Sequence, residues 1–355
     1  MALERRQVGA GDPDALVADA AARLRHGELV VLPTETVYGL AALPSHADAV
    51  AALRRWKRAD AAQPFTLHTA DARDLQRLAP APPVAVVRLI DRYWPGPLTV
   101  VVPGRDGEAV GVRLPAHDLT RAVIRAVGEP LWLTCVQRPG EAPRVDPDQV
   151  AAAVEDAAQL LVDDGASPLG TPSTVVRATA PRLEILREGI LSAADVLQTT
   201  AKLVLFVCTG NTCRSPLAEA LARELTARTL GVAPEAVLAH GFAFASAGVS
   251  ALPGCAASEG SLAAAAELEL DLDPHRSRAL DSDLLQRADL VYCMGRSHLR
   301  TILAEAPDAA AKTQLLRADG LDIGDPYGSD LRVYRRVRDE IRAAIGARLR
   351  EWLPR

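Results

Sequence analysis

A chain of 355 residues is long enough for two domains of ordinary size, each with its own core. Its composition, 49% hydrophobic and 24% charged residues with a formal net charge of -5, is typical of a globular protein and disfavours nucleic-acid binding through bulk positive charge. No apolar run approaches the ~18 residues of a membrane helix, and the N-terminus has no apolar core of the signal-peptide type. Five unevenly spaced cysteines predict free thiols, so we expect a cytoplasmic protein with no membrane contact.

Apolar runs alternate with helical patterns up to Thr200, which predicts an α/β architecture. The runs "ELVVL", "PLTVVVPG" and "VGVRLP" predict strands, and "HADAVAALRRWKR" predicts an amphipathic helix. The segment "DQVAAAVEDAAQLLVDDG" predicts a helix followed by a strand. After "LREGIL" comes a stretch of mostly small and polar residues, and a new apolar run follows it. We therefore place a boundary near Thr199 to Lys202 and expect domains over residues 1–199 and 200–355.

The second part begins with a uniformly apolar strand, "LVLFVC", and repeats the alternation of strands and helices. Further strands are predicted at "AFASAG" and "ADLVYCM", and helices at "SPLAEALARELTARTL", at 258–267 and at 329–352. Ser215 is predicted to cap the first of these helices, with Pro216 at its first position. This order of elements favours a small doubly wound parallel sheet.

The stretch "FVCTGNTCRSP" places a cysteine and an arginine in the loop between a strand and a helix N-terminus. Successive backbone N–H groups in such a loop surround a tetrahedral oxyanion, and Gly210 lets the backbone approach it closely. That setting favours a thiolate at Cys208, and the planar fork of Arg214 suits two phosphoryl oxygens. Asp325, in "GDPYGSD", is the best candidate to protonate the leaving group. The pattern predicts a phosphatase that works through a phosphocysteine.

Residues 202–352 resemble the low-molecular-weight protein tyrosine phosphatase family in this loop, in "SAG" at 246–248, in "HRSR" at 275–278 and in the late Asp-Pro-aromatic motif. The resemblance implies the small doubly wound parallel sheet and no cofactor. It implies Cys208 as nucleophile, Arg214 as phosphate clamp, Ser215 as the hydroxyl that stabilises the thiolate, and Asp325 as general acid. It also implies a reversible disulfide between Cys213 and Cys208. The implied loop and supporting residues are Thr209, Gly210, Asn211, Thr212, Cys213, Ser246 and His275.

Two substrates stay open for this domain, both of them phosphorylated proteins. Thr212, where tyrosine phosphatases of the family carry a bulkier aliphatic residue, resembles the members that act on phosphoarginine, as does the single aromatic in Tyr327-Gly328. Phosphoarginine is the first interpretation and phosphotyrosine the second. The related arsenate reductases need further cysteines, for which Cys255 and Cys293 are candidates, but Cys293 lies in an apolar strand and is read as core.

The first part resembles the YrdC-like threonylcarbamoyl-AMP synthases over residues ~10–197 through a series of short motifs. The motifs are "LPTETVYGL" at 32–40, "WKR" at 56–58, "PFTLH" at 64–68, "WPGPLTVVVP" at 94–103, "VRLPAH" at 112–117, "TPSTVV" at 171–176 and "LREGIL" at 186–191. The resemblance implies a twisted open α/β sheet around a concave pocket. It implies use of L-threonine, bicarbonate and ATP with magnesium, and tRNA or a tRNA-modifying protein as a further partner.

By the same resemblance, Arg113 would hold the threonine carboxylate with Thr34 and His68 nearby. Lys57, Arg58 and Arg187 would face ATP, and Ser173 and Thr134 would line the pocket. The stretch "KRAD" at 57–60 departs from the family's Lys-x-Arg-Pro, and "TCVQRPG" at 134–140 departs from its Thr-Ser-Ala-Asn-x-Ser-Gly loop. Val136 is expected to add bulk beside the site. The domain is therefore either a synthase, a related carbamoyl-transfer enzyme, or a degenerate module that binds a nucleotide, an amino acid or RNA. No histidine has metal-ligand spacing, so no metal site is predicted.

Overall fold

The computed structural model describes residues 2–59, 65–179 and 182–353, and the chain divides into two compact units, 1–200 and 201–355. Asp60 of the "KRAD" motif and Pro64 of the "PFTLH" motif lie outside the described residues. Both units combine helices with a sheet, so the expected α/β class is confirmed. In the part of the chain that the structure describes, no helix is long and apolar enough to span a bilayer.

The first unit is built on one mixed sheet whose strand order is β1-β8-β2-β3-β7-β4-β6-β5-β9-β10. Its strands are β1 (Glu4–Gln7), β2 (Val30–Leu32), β3 (Gly39–Ala42), β4 (Thr66–His68), β5 (Leu98–Pro103), β6 (Ala109–Arg113), β7 (Leu131–Cys135), β8 (Leu160–Asp163), β9 (Thr174–Thr179) and β10 (Arg182–Arg187). Its helices are α1 (Pro13–Arg25), α2 (Ala47–Lys57), α3 (Asp74–Leu78), α4 (Val84–Tyr93), α5 (Asp118–Val127), α6 (Pro147–Val154) and α7 (Ala193–Thr200).

Strand register brings polar residues from distant parts of the first unit into one row. β4 and β6 are parallel with His68 opposite Arg113, and β5 and β6 are antiparallel with Thr99 opposite Arg113. β7 continues the sheet beyond β4 and places Thr134 opposite Leu40 of β3. Because paired strands hold directly opposed residues ~5 Å apart, these polar positions are neighbours.

The second unit contains a four-stranded parallel sheet of order β12-β11-β13-β14, with helices on both faces. Its strands are β11 (Lys202–Cys208), β12 (Phe242–Gly248), β13 (Leu290–Cys293) and β14 (Thr313–Leu315). Its helices are α8 (Arg214–Leu230), α9 (Glu259–Ala266), α10 (Ser282–Arg287), α11 (Arg296–Glu305) and α12 (Leu331–Arg348), with 3-10 turns at Pro234–Ala236, Pro307–Lys312 and Leu349–Glu351. The expected small doubly wound parallel sheet is confirmed.

Side chains along β11 alternate between the two faces of the sheet, and this alternation decides on which face Cys208 lies. Val204, Phe206 and Cys208 face the core cluster that also holds residues of α8 and α12. The intervening residues of β11 face the other core cluster, with α10 and α11. Successive strand residues point to opposite faces, so Cys208 lies on the side of the sheet where α8 begins.

One expectation about local structure is wrong. The cap of α8 is Cys213, and Ser215 already lies inside the helix, because its hydroxyl hydrogen-bonds within the loop instead of to the first turn. At the other end of the unit, Trp352 is buried in the core, where its Nε1 donates to Thr226 Oγ1 at 3.0 Å.

Candidate active sites

The end of β11 buries a thiol inside a loop of hydrogen-bond donors. Cys208 is 3% exposed, and its Sγ accepts a hydrogen bond from Asn211 N at 3.2 Å and lies 3.0 Å from Ser215 Oγ. Gly248 of β12 borders this loop, and a Cβ added there would lie 2.4 Å from Thr209 O. The "SAG" motif therefore ends in glycine because the loop backbone crosses it closely.

Asn211 holds the centre of the loop in a conformation that few residues adopt. Its φ is 54°, in the left-handed region. The side chain is fully buried, with Nδ2 donating to Ser215 Oγ at 2.9 Å and to Ser246 Oγ at 3.0 Å, while Oδ1 accepts from Arg278 N at 2.9 Å. Its backbone carbonyl lies 2.7 Å from His275 Nε2. These contacts offset the backbone strain and set the shape of the anion-binding loop.

Arg214, which follows the loop, meets Asp325 although the two are far apart in sequence. Arg214 Nη2 lies 2.6 Å from Asp325 Oδ2, and Nη1 donates to Ile323 O at 3.1 Å. Within the described residues the buried Nε of Arg214 has no acceptor. The Asp325 side chain is 51% exposed. A buried guanidinium with an unused donor is suited to bind a phosphoryl oxygen, and the solvent-facing carboxylate beside it can reach a leaving group.

The two residues expected to select the substrate differ in exposure. Thr212 is half-buried and Tyr327 is 77% exposed. Cys213 is buried in a cluster with Tyr334, whose hydroxyl lies 3.8 Å from Cys213 Sγ. The Cys208 and Cys213 thiols are both free in this structure.

Three contacts around the loop were not found from the sequence. Glu219 accepts a hydrogen bond from Ser246 Oγ at 2.8 Å, and Arg278 supplies the N–H for Asn211. Thr209 Oγ1 lies 2.9 Å from the Nε2 of His298, a residue to which the sequence assigned no role. Arg278 lies inside the quoted "HRSR" motif and could have been singled out, whereas Glu219 and His298 carry no local signal.

In the first unit, the row of polar residues lines a cavity of about 210 Å³. Drug-sized pockets occupy ~300–1,000 Å³, so the enclosed part suits a small polar substrate. Seven of the eight site residues expected from the sequence line it: Thr34, Lys57, His68, Arg113, Thr134, Ser173 and Arg187. Arg58 is not among these lining residues, because α2 ends at Lys57 and Arg58 follows in a left-handed, exposed conformation, so its expected contact with ATP stays a prediction.

Arg113 is buried and oriented by an acidic partner that the sequence analysis missed. Its Nη2 donates to Glu35 Oε1 at 2.6 Å and to Thr36 Oγ1 at 2.9 Å, and its Nε donates to Gly96 O at 3.2 Å. Glu35 is the acidic residue of the "PTET" motif, and its Oε2 accepts from Ala116 N at 3.0 Å. These bonds fix the guanidinium at the cavity wall, where it can meet a carboxylate.

Burial makes two other basic groups of this cavity weaker bases. The pKa of His68 is lowered to about 3, first by burial and then by the charge of Arg113, so its imidazole is neutral near pH 7. Burial also lowers the pKa of Lys57. Across the described ranges, no three histidine, cysteine or acidic side chains are grouped to hold a metal ion.

The altered "TCVQRPG" loop wraps around Lys57. Lys57 Nζ donates to Cys135 O at 3.0 Å and to Gln137 O at 2.5 Å. Val136 is 1% exposed and packs in the core with Tyr38, so the bulk expected beside the site lies on the other side of the loop. The cavity therefore stays open, and the lysine ammonium is bound by two backbone carbonyls of the loop, a contact that does not depend on which side chains the loop carries.

Arg187, the other basic residue expected at ATP, lines the same cavity. Its Nε and Nη2 donate to Ser173 O at 3.1 and 2.9 Å, and Ser173 Oγ lies 2.9 Å from Thr99 Oγ1. Cationic and hydroxyl groups thus line the cavity together, a composition suited to phosphate.

The chain thus consists of two α/β units, of which the second holds a buried cysteine thiol in the loop between a strand and a helix. Residues 22–189 match the model of the Sua5/YciO/YrdC family, whose description is "Telomere recombination". Residues 203–353 match the model of the low molecular weight phosphotyrosine protein phosphatases. The chain belongs to the threonylcarbamoyl-AMP synthase family through its first unit and to the low-molecular-weight phosphatase family through its second, and both are families of enzymes. The resemblances stated from sequence are confirmed.

Individual relatives each match one of the units. A threonylcarbamoyl-AMP synthase of Chromohalobacter salexigens is 36% identical, over 45% of this chain and 90% of that protein. A Ralstonia solanacearum protein named "probable low molecular weight protein-tyrosine-phosphatase EpsP" is 32% identical, over 43% of this chain and 95% of that protein. The structure of a doubly substituted Sua5 of Pyrococcus abyssi is 25% identical with a TM-score of 0.52, over 58% of this chain and 71% of that chain. The matches to the threonylcarbamoyl-AMP synthases of Bacillus subtilis and P. abyssi span only 57% and 55% of those proteins.

Proposed function

We propose that residues 200–355 form a cytoplasmic protein phosphatase that hydrolyses its substrate through a phosphocysteine. The observation that carries this proposal is the buried Cys208 thiol beside Asn211 N, with the Arg214–Asp325 pair alongside. The Cys208 thiolate attacks phosphorus, the bond from phosphorus to the leaving group breaks, and Asp325 gives that group a proton. Asp325 then takes a proton from water as the water attacks phosphorus, which releases phosphate and the thiolate.

In this mechanism Arg214 exchanges partners during the cycle. In the free site its Nη2 is bound to Asp325 Oδ2. An entering phosphoryl group carries two negative charges and competes for the same fork, which frees the exposed carboxylate to approach the leaving atom. Ser215 Oγ, 3.0 Å from Cys208 Sγ, donates to the thiolate and stabilises its charge. No cofactor takes part in these steps.

We propose protein phosphoarginine as the substrate and keep phosphotyrosine as the second candidate. Thr212 at the rim is smaller and more polar than an aliphatic residue, and it leaves room and a hydrogen-bonding group for a guanidinium beside the P–N bond. Phosphotyrosine is favoured instead by the name of the EpsP relative, which is 32% identical.

Replacing Thr212 by isoleucine should shift the ratio of kcat/KM for phosphoarginine over phosphotyrosine by about tenfold or more towards phosphotyrosine, because an aliphatic side chain fills the rim and removes the hydroxyl. Phosphate release from the two substrates measures the ratio. Thr212→Ser, which keeps the hydroxyl, is the matched control and should stay near the wild-type ratio. An unchanged ratio in Thr212→Ile would contradict the assignment of specificity to this residue.

We further propose that residues 1–199 form threonylcarbamoyl-AMP from L-threonine, bicarbonate and MgATP, for transfer to adenosine in tRNA. The supporting observation is that seven of the residues expected from the family line one cavity. The fixed guanidinium of Arg113 would hold the threonine carboxylate, and Lys57 and Arg187 would neutralise phosphate oxygens. The second candidate, a degenerate non-catalytic module that binds a nucleotide or RNA, is favoured by the departure of "TCVQRPG" at 134–140 from the family's loop sequence.

Incubating the chain with MgATP, L-threonine and bicarbonate should yield pyrophosphate and an adenylate only when threonine is present. Arg113→Ala should abolish this product because it removes the carboxylate contact, while Arg125→Ala, an exposed arginine of the same unit, should leave it unchanged. Absence of product from a sample whose phosphatase is active would contradict the synthase and favour the non-catalytic module.

A further inference from the structure

The phosphate loop is anchored at its two halves by different side chains. Asn211, at its centre, is bonded to Ser215, Ser246 and Arg278. The half next to the nucleophile has one side-chain anchor among the described residues, the contact of Thr209 Oγ1 with His298 Nε2 at 2.9 Å. Thr209 itself is exposed and directly follows Cys208. His298 belongs to α11, the helix that follows β13 in the chain.

His298 is placed rigidly enough to act as an anchor. It lies in the first turn of α11 and is only 4% exposed, and one turn later the helix is buried at Ile302. Backbone bonds hold the loop on the other side, where Thr209 O accepts from Ser250 N at 3.0 Å. Thr209 is therefore held at two atoms: its hydroxyl contacts a buried imidazole, and its carbonyl oxygen accepts a backbone hydrogen bond. These two contacts limit the movement of the hydroxyl.

The surroundings of His298 also decide its protonation. Its Nδ1 is buried and has no hydrogen-bond partner in the part of the chain that the structure describes. Burial and the charge of Arg214 lower the pKa of His298, and Asp325 and Asp322 oppose this only in part. A proton on Nδ1 would make this atom a buried donor without an acceptor. Such a donor costs more free energy than an unpaired nitrogen lone pair at the same place. The imidazole is thus assigned as neutral with its proton on Nε2.

We propose that His298 is a positioning residue of the phosphatase site, whose Nε2–H donates to Thr209 Oγ1 and so directs the Thr209 hydroxyl hydrogen towards the bound phosphoryl group. A hydroxyl that already accepts from the imidazole keeps its own hydrogen for a second partner. Since Thr209 directly follows Cys208, a phosphoryl group bound at that thiol would offer an acceptor for this hydrogen. The inference rests on the proposed phosphatase function and deepens it by adding a donor that the sequence motif does not contain.

Two variants of His298 separate the hydrogen bond from the packing of the ring. The side-chain amide of glutamine can place an N–H where Nε2 stands, whereas the shorter asparagine reaches only the position of Nδ1. His298→Gln should keep kcat/KM for p-nitrophenyl phosphate within about threefold of wild type. His298→Asn should lower it about tenfold and raise the inhibition constant for inorganic phosphate by a similar factor.

The Thr209 hydroxyl gives an independent test that does not depend on whether a buried variant folds. Thr209→Val should show the same losses as His298→Asn, and Thr209→Ser should not. The double variant should be no worse than either single one, because both remove the same bond. Equal activity and phosphate inhibition in Thr209→Val and wild type, additive losses in the double variant, or a loss in His298→Gln as large as in His298→Asn would each overturn the proposal.

The proposal and the proposed function can fail separately. A wild-type chain that releases no p-nitrophenol would contradict the phosphatase. Even without phosphatase activity, the rise in melting temperature on adding inorganic phosphate measures phosphate binding in Thr209→Val and in wild type. Weaker phosphate stabilisation in Thr209→Val supports the positioning role, and equal stabilisation overturns it.

Discussion

Cys208→Ser is expected to lower phosphate release by about four orders of magnitude or more, since a serine hydroxyl in this loop has no base to activate it. The thiol is the group that the loop surrounds, with Asn211 N at 3.2 Å and Ser215 Oγ at 3.0 Å. Release of p-nitrophenol and of phosphate from a phosphorylated protein measures the loss. The fold should be retained, because oxygen replaces a slightly larger sulfur in an otherwise unchanged loop.

Cys255→Ser is the matched control for this substitution. Cys255 belongs to the same unit, is exposed, and is a free thiol like Cys208. It should leave the rate unchanged, which also tests the reductase reading in which Cys255 takes part. Activity retained in Cys208→Ser, or lost in Cys255→Ser, would contradict the proposed mechanism. Because each unit has its own core, any threonine-dependent product of the first unit should survive both substitutions and report on intact protein.

Asp325→Asn is expected to lower kcat about 10²- to 10⁴-fold for substrates with poor leaving groups, because the amide cannot supply a proton. The loss should be much smaller for p-nitrophenyl phosphate, whose leaving group is stable as an anion. Asparagine keeps the shape of the side chain and an oxygen to face Arg214 Nη2, so phosphate binding should persist. Comparing kcat for the two kinds of substrate measures the role of the acid.

Asp322→Asn provides the control on the same loop. Asp322 is also about half exposed, and its Oδ1 accepts from Arg296 N at 3.0 Å, a bond that an amide oxygen can retain. It should leave both substrates unaffected. A uniform loss for good and poor leaving groups in Asp325→Asn would show that the carboxylate acts through Arg214 alone and would remove it from the role of general acid.

Much of the second unit was predicted from sequence because its chemistry is local. The apolar strand, Gly210, the arginine and the helix start follow one another within "LVLFVCTGNTCRSP", so their spacing alone defines an anion loop. The residues that contact this loop from other parts of the sheet have no comparable sequence motif. His298 contacts Thr209 only because β11 and β13 are parallel neighbours, and the sequence gives no register for that pairing.

In the first unit the prediction was harder because the site is assembled from eight separate segments. The motifs identified Arg113 and His68, but their meeting depends on the parallel pairing of β4 with β6. Glu35, which holds Arg113 at 2.6 Å, was quoted within a motif without a role. The place of Arg58 depends on where α2 ends, and the end of a helix is uncertain by one or two residues in a sequence-based prediction.

By itself, then, the sequence determined the two α/β units, the cysteine loop and most of the residues of both sites. These depend on periodicity, on turn residues and on short motifs, which are properties of neighbouring residues along the chain. Only the tertiary structure decided that Lys57 is bonded to the altered loop, that Val136 faces the core, and that a buried neutral histidine anchors the phosphate loop. The direction and partners of those side chains depend on strand pairing and burial between residues that are far apart in the chain. Local sequence patterns contain no information about such pairing.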